Sequence, residues 1–213
     1  MNRVLRAAAI LAGVCGASLL FPLHLIRAQQ QDGDARLARL DPATRAAVAA
    51  VVDSARRARL PAEPLIDKAL EGEKKGADGG RIVIAVRGLY AELRSARAAL
   101  GSGATVDEIN AGANALHAGM PMRNLAQLRS ASQHTGRARV TMPLTVATDL
   151  IARGVPVAVV SDVVLSLARA GLRDADYTMF ERNVRLDIEN GADAATAAQT
   201  RARGAMLHTG RAS

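Results

Sequence analysis

The chain has 213 residues, with 28 Lys and Arg against 20 Asp and Glu, a formal charge of +8 at pH 7. Nearly half of it is apolar, but aromatics are 2% and there is one cysteine. This excludes a disulfide framework and disfavours nucleic-acid binding by aromatic stacking, and it leaves material for one core or two small ones.

Residues 1–28 have the layout of a secretory signal. Arg3 and Arg6 precede an apolar run from Ala7 to Leu20, and Ile26-Arg27-Ala28 ends on a small residue with an aliphatic one two before it. The expectation is an exported chain, periplasmic or secreted, beginning at Gln29. An uncleaved anchor over Ala7 to Ile26 is the minor alternative, since about 20 residues span a bilayer. Pro22, His24 and the many alanines and glycines make that stretch a poor lipid helix, so no stable membrane span is expected after cleavage. Val14 before Cys15 disfavours a lipid-attachment site. Cleavage removes Arg3, Arg6 and Arg27, and the charge falls to +5. It also removes Cys15, so the core alone must stabilise the fold. Only Lys68, Lys74 and Lys75 are lysines. Such an arginine excess, alongside so much alanine, reads as genome composition rather than as a binding site.

Residues 29–40 are polar and read as a flexible leader. Asp41-Pro42 is a helix start, with Asp as N-cap and Pro at the first helical position. The pattern predicts helices over 42–57, 64–75, 81–100, 105–118, 121–131, 143–153, 156–170, 174–190 and 193–203. Thr105 and Glu108 form a capping box. Residues 101–103 and 130–140 read as the main loops, with His134 in the second. Val157 to Leu167 is β-branched, but its proline start, glycine stop and length favour a buried helix. The all-α domain is expected over 41–205, with a tail at 206–213.

One junction recurs. A helix ends, a glycine follows, and a small or apolar residue leads to Pro or Asp. The corners are Gly76, Gly119 with Pro121, Gly154 with Pro156, Gly171 and Gly191; Pro61 marks the same corner without glycine. Glycine just past a helix end takes the left-handed conformation that closes it. The expected architecture is therefore short helices joined by Gly-x-Pro/Asp corners, as an orthogonal bundle or a short helical-repeat array. A shift of 95 aligns Leu60 with Val155, Leu65 with Val160, Ala69 with Val164, Gly76 with Gly171 and Ile82 with Tyr177. The segments 42–100 and 141–203 are thus candidate copies of one unit, although any two helical hairpins with glycine caps align about this well.

The stretch from Leu60-Pro61-Ala62-Glu63-Pro64-Leu65 through Lys68-Ala69-Leu70-Glu71-Gly72 and Lys75-Gly76, followed by Arg81-Ile82 and Ala85-Val86-Arg87, carries a resemblance. It resembles a set of exported bacterial all-helical proteins with an LPxEPLxxKALEGxxKG…RIxxAVR stretch, a set with no activity attached. The resemblance covers about a third of the chain. It implies export and a helical fold, and no mechanism.

No chemical constellation stands out. His117, His134 and His208 do not pair at metal-ligand spacing, so neither metal nor cofactor is expected. His117 suits a helix C-terminus. Ser161 and Ser166 lie in an apolar helix without a nucleophile elbow. Glu63, Asp67 and Glu71 share one helix face and read as a solvated ladder, with Glu71–Lys75, Asp53–Arg57 and Glu181–Arg185 as ion pairs. No phosphate-binding loop is present. Arg129, Arg137 and Arg139 bracket the long loop and, with His134, form the candidate interaction surface. Expected partners are a protein or an anionic envelope component, and not nucleic acid. The leading expectation is an exported, non-enzymatic helical scaffold or protein-interaction module of the cell envelope. The alternatives are a small all-α enzyme with an arginine-lined pocket for an anionic substrate, and a binder of anionic envelope polymer.

Overall fold

Helix boundaries follow from the corner chemistry. The structure, a computed structural model, describes residues 35–136 and 139–209, the side chains of 208 and 209 excepted. The expected signal segment, the first half of the leader and Arg137 lie outside the described residues. Among those described there are nine α-helices and no strand. They are α1 (Pro42–Arg57), α2 (Glu63–Lys74), α3 (Gly79–Leu100), α4 (Val106–His117), α5 (Met122–His134), α6 (Thr141–Ala152), α7 (Val157–Arg169), α8 (Asp174–Glu189) and α9 (Ala194–Thr209).

Asp41 caps α1 as expected, its carboxylate accepting from the N–H groups of Ala43 and Thr44 at 3.1 Å. Pro121 and Pro156 are themselves the N-caps of α5 and α7, in extended conformation, rather than first helical residues. At the start of α8, Arg173 is the cap, and its N–H donates to the Asp176 carboxylate at 2.9 Å.

The helix ends share one geometry. Gly119, Gly154 and Gly171 each stand one residue past the C-cap with φ of 99°, 86° and 72°. At the α6 end, Gly154 N–H donates to Ile151 and Val155 N–H reaches back to Leu150, both at 3.0 Å. This is the Schellman closure, and buried Val155 folds onto the last turn. Leu60, Met120 and Leu172 are buried in the same place at their corners. After α1 the left-handed position is held by Arg59, with φ of 55°. No atom stands within 4 Å of where a Gly154 Cβ would be. The cost of Gly154→Ala is therefore that of backbone strain, about 1 kcal/mol. Arg59→Gly removes the same strain, and stability should rise by up to about 1 kcal/mol. Urea unfolding midpoints of the two variants should move in opposite directions.

The helices form a bundle drawn out along the chain. α1, α3, α5, α7 and α9 stack successively as one row, and α4, α6 and α8 as a second. The rows are joined where α3 meets α4, α6 meets α7 and α8 meets α9. Substantial packing among the described residues links only helices one or two apart in chain order. Such near-neighbour packing is the mark of a quasi-linear array. α2 packs on α1 and α3, and a 3₁₀ turn, Leu37–Arg39, covers the α1–α2 end. Leu37 and Leu40 are buried there, so the expected leader already belongs to the fold by residue 37. At the other end α9 runs through Thr209, and Met206 packs on the core where a tail was expected.

The contacts are close because the residues are small. A Cβ on Gly112 of α4 would stand 3.0 Å from Ala96 Cβ of α3 and 3.2 Å from Leu125 Cδ2 of α5. The shift of 95 carries α2 onto α7 to within a residue at both ends, and it matches the end of α1 to that of α6 and the start of α3 to that of α8, although α1 starts earlier than α6 and α3 ends later than α8. Leu65 and Val160 are both fully buried, as are Ala69 and Val164. The two segments differ in packing, since α2 lies firmly against α3 whereas α7 turns from α8 toward α9.

Candidate functional site

α5 carries most of the expected interaction surface, and it divides those residues between inside and outside. Leu125, Leu128 and Ser132 face the core. Arg129, four residues after Leu125, follows them inward, and its side chain is 13% exposed. It is therefore not an exposed contact residue, because the helix turns it toward α4. There its Nη2 lies 2.8 Å from Glu108 Oε1, and the Glu108 side chain is 2% exposed. Glu108 Oε1 also accepts from Val140 N–H at 3.0 Å, and Oε2 from Thr105 N–H at 2.9 Å. One carboxylate thus completes the capping box of α4, neutralises a buried guanidinium of α5 and fixes the chain entering α6. Burial alone would raise the Glu108 carboxyl. The Arg129 guanidinium and the two amide donors outweigh burial and hold it below its ordinary range.

The capping pattern points to Glu108 but not to its second task. A signal for that task was present. Glu108, Gly112 and Ala115 recur at i, i+4 and i+7, so the carboxylate shares the face on which small residues allow close packing.

His134 is not in a loop. It is the last residue of α5, and its Nδ1 is 2.7 Å from the Ser130 carbonyl. Gln127, Ser130, Ala131 and His134 recur at helical spacing and line one wall of a cleft of about 310 Å³, faced by Thr135 and by Arg169 of α7. Thr135 is tied in place, its hydroxyl lying 3.2 Å from the Ala131 carbonyl and 3.4 Å from that of Ala168. The side chains of Gln127 and Arg169, the Ser130 hydroxyl and His134 Nε2 have no partner among the described residues. Among the described residues no carboxylate lines the cleft. Arg139 is exposed and does not line the cleft. Of the corners, Pro61 is buried, whereas Gly76, Gly119, Gly154, Pro156 and Gly191 are exposed and Pro121 and Gly171 partly so.

The remaining charges are largely used for packing. Arg36, from the segment expected as leader, bridges Glu63 and Asp67. Lys75 and Lys68 bind Glu71 and lower its carboxyl to about 2. Asp53 pairs with Arg56 at 3.2 Å rather than with the expected Arg57, whose guanidinium meets Ser54. His117 ends α4 and meets Glu92 at 2.9 Å. Asp187 and Arg201 join α8 to α9 through two contacts of 2.6 Å.

One cluster brings carboxylates together. Asp149 of α6 is bound by Arg153 at 2.7 Å, and Glu181 of α8 lies 3.7 Å from Arg153 and 3.8 Å from Arg185. Burial and then the adjacent Asp149 push the Glu181 carboxyl up. Burial would raise Asp149 too, but Arg153 holds it down. No His, Cys, Asp and Glu group suited to a metal ion is present among the described residues.

Searches of family models, curated proteins and solved structures give no match to this chain.

Proposed function

We propose that this is an exported, non-enzymatic interaction module of the cell envelope, which contacts a partner protein along the α5–α7 cleft. The observation that carries this reading is the polar stripe of Gln127, Ser130 and His134 facing Arg169, in which the Gln127 and Arg169 side chains, the Ser130 hydroxyl and His134 Nε2 have no partner among the described residues. All four side chains are exposed, so water serves them in the free protein and a partner can take its place. A convergent set left open along the seam between two stacked helices is suited to gripping a partner. The rigid corners support this, since they fix the ends of α5 and α7 and so the width of the seam. Export rests on the layout of residues 1–28. No helix among the described residues is long and apolar enough to cross a membrane.

A second reading, a small enzyme acting on an anionic substrate, is favoured by the Asp149–Glu181 pair alone. Two carboxyls pushed in opposite directions beside arginines are an arrangement used in acid–base chemistry. Here each has a guanidinium within salt-bridge reach and the pair joins α6 to α8, which a packing clamp explains equally well.

Alanine substitution at Gln127, Ser130, His134, Arg139, Arg169, Asp149 and Glu181, read by complementation of a strain lacking the gene, separates the two. The interaction reading predicts graded losses confined to the cleft positions, with folding unchanged. Abolition by Glu181→Ala in a folded protein, with the cleft variants active, would move the assignment to the enzyme. In the same cells, the intact mass of the envelope-fraction protein should correspond to a start at Gln29, within a few residues. A mass retaining Met1 contradicts cleavage.

A further inference from the structure

We propose that the α5–α7 cleft is a site for an anionic oxygen group, a carboxylate or a phosphate, held by the Arg169 guanidinium and His134 Nε2 with Gln127 and Ser130 beside them. The inference rests on the cleft being the contact site of the module, and it assigns the chemistry recognised there.

The first argument is donor balance. Arg169 has no acidic partner among the described residues, and the cleft lining supplies none. A guanidinium presents donors in a fixed fork that matches carboxylate and phosphate geometry. The second argument is the histidine tautomer. A backbone carbonyl can only accept, so the 2.7 Å contact with Ser130 requires the proton on Nδ1. Nε2 is then the edge left over, and when it carries a proton it can donate to an anion in the cleft. The Gln127 amide and the Ser130 hydroxyl add neutral donors on the same wall. The third argument is size. About 310 Å³ has room for one charged group with a few attached atoms.

His134 and Arg169 are each the last residue of a helix, where a cation is favoured by the helix dipole without any ligand. That preference explains two cations. It does not place the two cations on one cleft with the neutral donors of Gln127 and Ser130, as the fold does.

The test uses the protein as the cell makes it. Inorganic phosphate and acetate are titrated separately at constant pH and ionic strength, while the ring resonances of His134 and His117 are followed by NMR. His117 serves as internal control, since it meets Glu92 on α3. The expected result is a saturable shift of His134 with at least one anion and none of His117. Saturation by phosphate alone or by acetate alone supports the site and identifies which group it prefers. Arg169→Gln, at an exposed position, should leave the fold intact and weaken the apparent affinity about tenfold. Parallel, non-saturating drift of both histidines would overturn the inference. So would an Arg169→Gln protein that titrates like the wild type. Cross-linking at the cleft without an anion response would remove this inference and leave the interaction module standing.

Discussion

Replacing Glu108 by glutamine is expected to lower the unfolding free energy by about 3 kcal/mol, because it breaks a buried ion pair and leaves one charge uncompensated. The amide keeps the size of the carboxylate and can still accept from an N–H group. It cannot balance Arg129, whose side chain stays buried against it. Urea unfolding at neutral pH reads the loss. Adding Arg129→Met to Glu108→Gln should recover part of it, since removing both charges costs less than removing one. The same pair predicts a pH dependence. The folded-state carboxyl lies below its ordinary value of 4.5. Its contribution is therefore fully present above pH 4.5 and is lost as pH falls through the folded-state value. Glu108→Gln should abolish that part of the acid dependence. A variant as stable as the wild type at neutral pH would show that the pair does not hold α4, α5 and the entry to α6 together.

Leu125→Ala is the second large effect, expected at about 3 kcal/mol. Leu125 is fully buried, and its Cδ2 reaches from α5 to the close contact of α3 with α4, beside Gly112. Removing the Cγ and both Cδ carbons there opens a cavity that neighbouring alanines cannot fill. Gly112→Ala probes the same contact from the other side. Its new methyl would stand 3.0 Å from Ala96 and 3.2 Å from Leu125, which favours overpacking over the gain in helix propensity. In the double variant the methyl enters the space vacated by Leu125. The destabilisation should then be smaller than the sum of the two, by about 1 kcal/mol. Additive behaviour in urea unfolding would mean that the three helices do not share this contact.

How much of this was legible follows from which interactions are local. Helix ends were legible because a left-handed glycine followed by an apolar residue is a short-range device, and the closures at Gly119, Gly154 and Gly171 lie one residue past the C-cap. The all-α class followed from the same signals. The end of α5 was not legible. Ser130-Ala131-Ser132-Gln133-His134 is polar and has weak helix preference, yet packing of α5 on α3 and α7 and of Ser132 into the core keeps it helical. Arg129 was placed on the surface because arginine is usually exposed. A carboxylate 21 residues earlier, whose sequence signature spoke only of capping, reversed that. The burial of Leu37 and Leu40 is illegible for a related reason, since two leucines in a polar stretch carry no periodicity and their burial depends on α1 and α2. Arg169 escaped notice because only folding brings it opposite His134.

The central claim, that the α5–α7 cleft is where this protein meets its partner, is tested most directly by cross-linking in living cells. A photo-reactive amino acid is placed at position 127 on the cleft, and at position 179, an exposed methionine of α8 on the other row. The account predicts a discrete adduct with one envelope protein from position 127, weakened by Arg169→Gln, and none from position 179. Adducts from position 179 alone, or equal labelling from both, would contradict it.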